Sequence, residues 1–284
     1  EGYAEGIATP MNTQRQDLLE KGYCLFENIV PSAMLEQLRA ESTRLADARL
    51  EEDRVKNRTT GSMIDLTELS LCADLVALPS ALAALASLGY DDPKFTSGYI
   101  ISKPPQSPRL FWHHDWACWD DPGAHGPVPQ QLFLMYYLSD TSRENGCLRV
   151  VPGSQVNENP LHALLEEAHS DDLLSTTDEQ RVEFSDRPDE VDICVKAGDL
   201  VLGDSRLLHA THANESGERR TVLTLWFHPD MAALDEGTQS YIANLSTKIP
   251  AHWPQDKQNL LQTYLATYDG EVEALPWNRH RRPL

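Results

Sequence analysis

The chain has 284 residues, 40% of them hydrophobic, and 24 Lys and Arg stand against 44 Asp and Glu for a formal net charge of −20. That length suits one barrel-sized core with helical additions, no apolar run reaches the span of a bilayer, and a field of this sign repels phosphate backbones, which argues against nucleic acid as a partner. The cysteines, Cys24, Cys72, Cys118, Cys147 and Cys194, are scattered without C-x-x-C spacing, and no secretory signal is visible, so a reducing, cytoplasmic setting is expected.

Along the chain, residues 1–92 read as a mostly helical scaffold with at least one strand. Asp17 to Lys21 predicts a short helix, Gly22 its stop, and Tyr23 to Phe26 a strand. Pro31-Ser32 opens an amphipathic helix whose apolar positions Met34, Leu35, Leu38 and Leu45 pack on the outside of a barrel. Leu66 to Leu88 predicts one or two further helices broken by Pro79.

Residues 93–230 carry the strand signals of a barrel core. A strand runs through Tyr99 to Lys103, a turn is marked by Pro104, Pro105 and Pro108, and an apolar stretch leads into Phe111-Trp112-His113-His114-Asp115-Trp116. Gln131, Phe133, Met135 and Tyr137 share one face of a later strand. The acidic, Ser/Thr-rich residues 157–191 form an insertion at the barrel rim, either a lid or a surface loop. Ala197-Gly198-Asp199 is a turn, followed by strands over Leu200 to Asp204, Arg206 to His212 and Arg220 to Phe227. Residues 231–284 read as a helical extension and tail, and the whole chain is expected to form one domain.

Alternate side chains of a strand share a face, so His113 and Asp115 point one way while His114 points the other. His209, with Thr211 on its own face, can supply a third ligand and complete a two-histidine, one-carboxylate set of the kind that suits non-heme Fe(II) and leaves coordination positions open. The alternative reading of His113 and Asp115 is a hydrogen-bonded core histidine and a turn residue. Arg220, beginning a strand that pairs with the His209 strand if the two form a hairpin, can clamp a carboxylate through two parallel charge-assisted hydrogen bonds. Lys103, before Pro104, reads as an exposed lysine, with a second carboxylate contact as the alternative.

These pieces resemble the phytanoyl-CoA dioxygenase-like Fe(II)/2-oxoglutarate oxygenases. The resemblance rests on His113-x-Asp115, on Glu144-Asn145-Gly146-Cys147-Leu148-Arg149-Val150-Val151-Pro152-Gly153-Ser154, and on Gly198-Asp199 leading to His209-x-Thr211-x-x-Asn214 and Arg220. Gln155 stands where the family usually has histidine. The resemblance implies a double-stranded β-helix, a jelly-roll barrel of the cupin type, mainly β with flanking helices. It also implies Fe(II) held by His113, Asp115 and His209, 2-oxoglutarate bound through Arg220 and Thr211 with Tyr99 and Met135 nearby, and O2 as oxidant. Met135 falls where a tryptophan is frequent. Because Asp115 supplies a carboxylate, no ligand position is vacated for a halide, and hydroxylation with release of succinate and CO2 is the expected outcome.

The substrate is expected to be an unconjugated, largely apolar or zwitterionic small molecule, such as a secondary-metabolite intermediate. Coenzyme A thioesters are polyanions, and the one obvious basic cluster, Arg279-His280-Arg281-Arg282, reads as a solvated tail rather than a clamp. Trp116 and Trp119 are expected to line the pocket mouth, with a core position as the alternative, and Trp112, on the opposite strand face from His113, to be core. An acyl-CoA hydroxylase of the same family and a cupin-like metal enzyme that does not use 2-oxoglutarate are the alternatives. Strand parity predicts that His113→Ala, Asp115→Ala or His209→Ala abolishes turnover and iron retention. His114→Ala and His212→Ala keep the iron, and metal analysis of the purified variants checks the assignment.

Overall fold

The structure, a computed structural model, describes residues 12–165 and 170–281. Its elements follow in the order α1 (Thr13–Lys21), β1 (Tyr23–Phe26), α2 (Ser32–Asp47), α3 (Glu51–Lys56), β2 (Ile64–Asp65), α4 (Cys72–Val76), α5 (Pro79–Ser87), β3 (Lys94–Lys103), β4 (Leu110–His113), β5 (Leu132–Tyr137), β6 (Leu148–Val150), α6 (Pro160–Leu164), α7 (Asp171–Ser175), β7 (Val191–Ile193), β8 (Leu200–Asp204), β9 (His209–Thr211), β10 (Arg220–His228), α8 (Glu236–Leu245) and α9 (Gln255–Tyr264).

Two antiparallel sheets face each other: a six-stranded sheet in the order β1-β8-β5-β10-β3-β2 and a four-stranded sheet in the order β4-β9-β6-β7. This is the double-stranded β-helix expected from the sequence. The helical N-terminal part covers the back of the larger sheet, where Leu35, Leu38 and Leu45 of α2 and Leu75 and Val76 of α4 join Leu132, Leu134, Leu200 and Leu202 in one buried cluster. α1 stops at Gly22, which takes a left-handed φ of 88°, a conformation open to glycine at little steric cost. Pro79 begins α5 at its first turn, where a missing N–H is harmless.

Three expectations change. The strand over Arg206 to His212 shortens to His209–Thr211, because the Arg206 guanidinium turns back onto Asp204 (Nη2–Oδ2 2.6 Å) and caps the carbonyls of Ala124, Gly126 and Val128. β10 does not pair with β9: it lies between β3 and β5 in the larger sheet, so Arg220 faces the metal strands from across the barrel. Lys103 is 0% exposed, paired in register with Arg220. Its neighbours Tyr99 and Ile101 line the pocket, and period two carries Lys103 onto that inward face.

In the segment between β6 and β7, Phe184, Leu173 and Leu174 pack on Leu110 and Phe111 at the start of β4. Residues 166–169 of the expected insertion lie outside the described residues. Gly203 of β8 lies opposite Phe133, and a Cβ there would stand 2.2 Å from the Phe133 ring, which in turn packs against His209 with ring centroids 5.1 Å apart. Gly203→Ala therefore pushes Phe133 into His209. It is expected to lower stability by about 1–3 kcal/mol, the usual penalty of overpacking, read as a lower urea midpoint with unchanged slope.

Candidate active site and metal centre

His113 ends β4 and His209 begins β9, and the two are paired in register. Each ring is held by the same device, with Nδ1 bonded at 3.0 Å to the carbonyl two residues earlier, Phe111 for His113 and Leu207 for His209. Such a bond fixes the ring and directs Nε2 at a common point. Asp115 lies two residues past the end of β4, where the Ser205 carbonyl accepts both its N–H (2.7 Å) and that of Trp116 (2.9 Å). The Trp226 indole donates to Asp115 Oδ2 at 2.9 Å. His113 Nε2 stands 3.6 Å from Asp115 Oδ1, and His209 Nε2 stands 3.8 Å from Oδ2. One ion at about 2.1 Å from each ligand fits between atoms so spaced, so these three buried side chains could hold a metal.

The triad opens on a pocket of about 420 Å³ between the sheets, to which Tyr99, Met135, Thr211, Arg220 and Lys103 all contribute. Arg220 is 1% exposed, yet its Nε and Nη2 have no hydrogen-bond partner, and neither does the Thr211 hydroxyl beside it. A buried guanidinium with two unmet donors lacks an anion. Burial pulls the Arg220 pKa down, with Tyr137 acting in the opposite direction. Lys103 Nζ donates to the carbonyl of Thr59 at 3.0 Å and to that of Pro108. Burial first, and the Arg220 cation second, hold its ammonium well below the ordinary pKa. A carboxylate between Arg220 and Thr211 satisfies these donors, so the cradle fits the distal end of 2-oxoglutarate.

Other sequence expectations divide. Trp112 is core, stacked under the Arg149 guanidinium at 4.8 Å. Trp116 lines the pocket, whereas Trp119 is buried away from it beside His125, with the Arg281 guanidinium 5.4 Å from its ring. His114 faces away from the triad but is buried next to Trp119 and His162, and burial pulls its pKa down to about 3. The basic cluster is no solvated tail. Arg281 caps the carbonyls of Ser154, Val156 and Asn157, and Arg279 lines the pocket with its Nε and Nη1 buried and unpartnered. Arg282 lies outside the described residues. Trp226 had a signal in the sequence, since period two from Arg220 puts it on the inward face; Arg279 was visible only as part of the basic cluster, and Tyr241, which arrives from beyond the barrel, had none.

The phytanoyl-CoA dioxygenase family model matches residues 18–222. An ectoine dioxygenase of Nocardia farcinica (strain IFM 10152) is 25% identical over 223 residues, 73% of this chain and 74% of its own length. An L-proline trans-4-hydroxylase of Streptomyces griseoviridis is 27% identical over 197 residues, 63% of this chain and 70% of its own. Among solved structures, the nickel complex of the non-heme monooxygenase ThoJ superposes with a TM-score of 0.58 at 20% identity, covering 88% of this chain and 95% of that one. The chain belongs to the phytanoyl-CoA dioxygenase family and is an Fe(II)/2-oxoglutarate-dependent dioxygenase.

Arg220→Ala is expected to weaken 2-oxoglutarate by about 2–5 kcal/mol, the usual loss on truncating one partner of a buried charge pair. Arg219→Ala, whose side chain reaches Asp47 on the surface (2.6 Å), leaves it unchanged. A bound dianion raises the depressed pKa of Lys103, so binding takes up protons and 2-oxoglutarate affinity falls as pH rises through that value. Calorimetry in two buffers of different ionisation enthalpy reads the uptake, which Lys103→Met removes.

Proposed function

We propose that this enzyme hydroxylates an unactivated C–H of a small molecule that carries an anionic group, and that Arg279 grips that group. The observation that carries the reading is a second guanidinium with buried, unpartnered donors, Nε and Nη1 of Arg279, in the same pocket as the triad. Arg279 comes from the C-terminal segment, and the groups offsetting the burial of its charge are Asp115 and Tyr241, which places it on the Asp115 side of the pocket. Its unmet Nε and Nη1 lie on different edges of the guanidinium, and each can give one charge-assisted hydrogen bond to an anion, whereas at Arg220 the unmet Nε and Nη2 share one edge.

In this reading His113, Asp115 and His209 hold the iron, and Arg220, Thr211 and Lys103 hold the distal carboxylate of 2-oxoglutarate between Tyr99 and Met135. Bound Fe(II) with 2-oxoglutarate and O2 supplies the oxidising chemistry, with succinate and CO2 released. The chain's own residues position and exclude. Trp226 fixes the Asp115 carboxylate through its 2.9 Å bond, and the buried Trp116 and Ile242 give the pocket an apolar wall that keeps water from the target carbon. Arg279 orients the target by its charge.

Two further facts support a small, unconjugated acid. The relative from Streptomyces griseoviridis is named for L-proline, which bears a carboxylate. Arg281, the other described arginine of the tail, is occupied by three backbone carbonyls and offers nothing to the phosphates of a coenzyme A thioester. A cytoplasmic location fits the five free cysteines.

The test is a screen of small carboxylic and amino acids for succinate formation, with mass spectrometry reading the gain of one oxygen on the substrate. Arg279→Ala is expected to raise KM for the anionic substrate by about 2–5 kcal/mol in binding energy while the affinity for 2-oxoglutarate stays put. Turnover that prefers a neutral analogue, or a KM indifferent to Arg279→Ala, removes the anion grip and leaves the enzyme class standing.

A further inference from the structure

Among the described residues, one other group of thiol, imidazole and carboxylate side chains converges: Cys147, Asp192 and His212, whose candidate ligand atoms all lie within 4.8 Å of one another. They come from three neighbouring strands. Cys147 precedes β6, Asp192 sits in β7 and His212 follows β9, in the sheet order β9-β6-β7. Leu148 and Thr211 line the pocket, and alternation therefore carries Cys147 and His212 to the opposite face, with Asp192 opposite Arg149 on that same side. This cluster is separate from the iron pocket, and nothing in the oxygenase reaction calls on it.

The group is held in place without an ion. His212 donates its backbone N–H to the Cys147 carbonyl at 3.1 Å, and its Nε2 bonds Asp192 Oδ1 at 2.7 Å. Arg143 stands 3.5 Å from the other Asp192 oxygen, a partner of the type that orients a ligating carboxylate. Cys147 is 0% exposed and His212 3%, whereas the Asp192 side chain is 29% exposed and gives an entry path. Cys194 lies one step beyond the paired residues Leu148 and Ile193, opposite Cys147, and is exposed.

We propose that Cys147, Asp192 and His212, with Cys194 as the fourth ligand, form a zinc site on the back of the four-stranded sheet. The ligand chemistry selects the ion. Thiolate with imidazole suits Zn(II), whereas Mg(II) and Ca(II) require oxygen alone. A tetrahedral Zn(II), with bonds of about 2.0–2.3 Å, sets its ligand atoms roughly 3.3–3.8 Å apart, so the ion draws the wider pairs together and replaces the 2.7 Å His212–Asp192 hydrogen bond, whose two atoms move apart. Binding releases the thiol protons to solvent as the sulfurs become thiolates, and no electron changes hands. The bound ion ties β9, which carries His209 and Thr211, to β6 and β7, so the site is structural and buttresses the iron strand from behind.

Cobalt(II) titration of the full-length, fully reduced protein tests this. Only a sulfur ligand gives a thiolate-to-cobalt charge-transfer band, and the iron triad has none. One equivalent is expected to produce the band, Zn(II) to displace it, and zinc to raise the melting temperature. The band is lost in Cys147→Ser and in His212→Ala, falls in Cys194→Ser and persists in His113→Ala. Should Cys147→Ser fail to fold, Asp192→Asn changes the partly exposed ligand and is expected to weaken zinc about tenfold or more. Absence of the band in the wild type, or its persistence in both Asp192→Asn and His212→Ala at undiminished affinity, overturns the proposal.

Discussion

Two sheets that share no ladder must keep a fixed separation, because the triad stands on one and Arg220 on the other. The chain meets this constraint at its crossings. Where β8 leaves the larger sheet for β9, the buried Asp204–Arg206 pair locks the turn, and the Ser205 carbonyl inside that turn receives the Asp115 and Trp116 amides. Where β9 returns to β10, the fully buried Asn214 donates to the carbonyls of Lys103, Pro104 and Glu218, which ties the chain leaving β9 to the end of β3 in the other sheet. A side chain bonded to three backbone carbonyls replaces the missing ladder with discrete ties, and each tie sits within a few residues of a site residue.

The same barrel concentrates positive charge in a strongly negative chain. Lys103 and Arg220 are both fully buried and adjacent in register, an arrangement whose desolvation is of the order of several kcal/mol per ion. Net charge has little say here, since surface carboxylates are screened within about 8 Å at physiological salt while buried cations are not. The local deficit is anionic. It explains how a molecule of charge −20 binds a dianion: the attraction arises at short range in a low-dielectric pocket, and the surface field only slows the approach.

Much of this was legible in the sequence because period two is a local rule. It gave the inward side of His113, His209, Thr211, Met135 and Arg220 and the core position of Trp112. The same rule applied to Tyr99 and Ile101 assigns Lys103 inward, against the habit of treating a lysine before proline as exposed. What stayed hidden was non-local. No pattern within β10 says which sheet it joins, so the expected hairpin of β9 with β10 gave way to pairing with β3 and β5. The C-terminal cluster reads as a charge run by composition, and only the docked chain separates Arg281, saturated by carbonyls, from Arg279, left with free donors.

That separation has a physical origin in how the tail is fastened. Asn278 donates to the Ala117 carbonyl at 2.9 Å and receives the Trp119 N–H, while upstream Leu275 donates to Gly237 at 3.0 Å. Downstream, Arg281 is tied to the turn after β6. Arg279 thus lies between anchored neighbours on both sides, in a strap laid across the pocket beside the aromatic wall of Trp116 and Tyr241. A charged side chain held this way has lost most of its conformational freedom before substrate arrives, so less binding energy goes into ordering it. The barrel fixes the oxidising end of the reaction through residues on its strands, and under the proposed function the strap, which shares no strand with them, selects the substrate's charge independently of the chemistry.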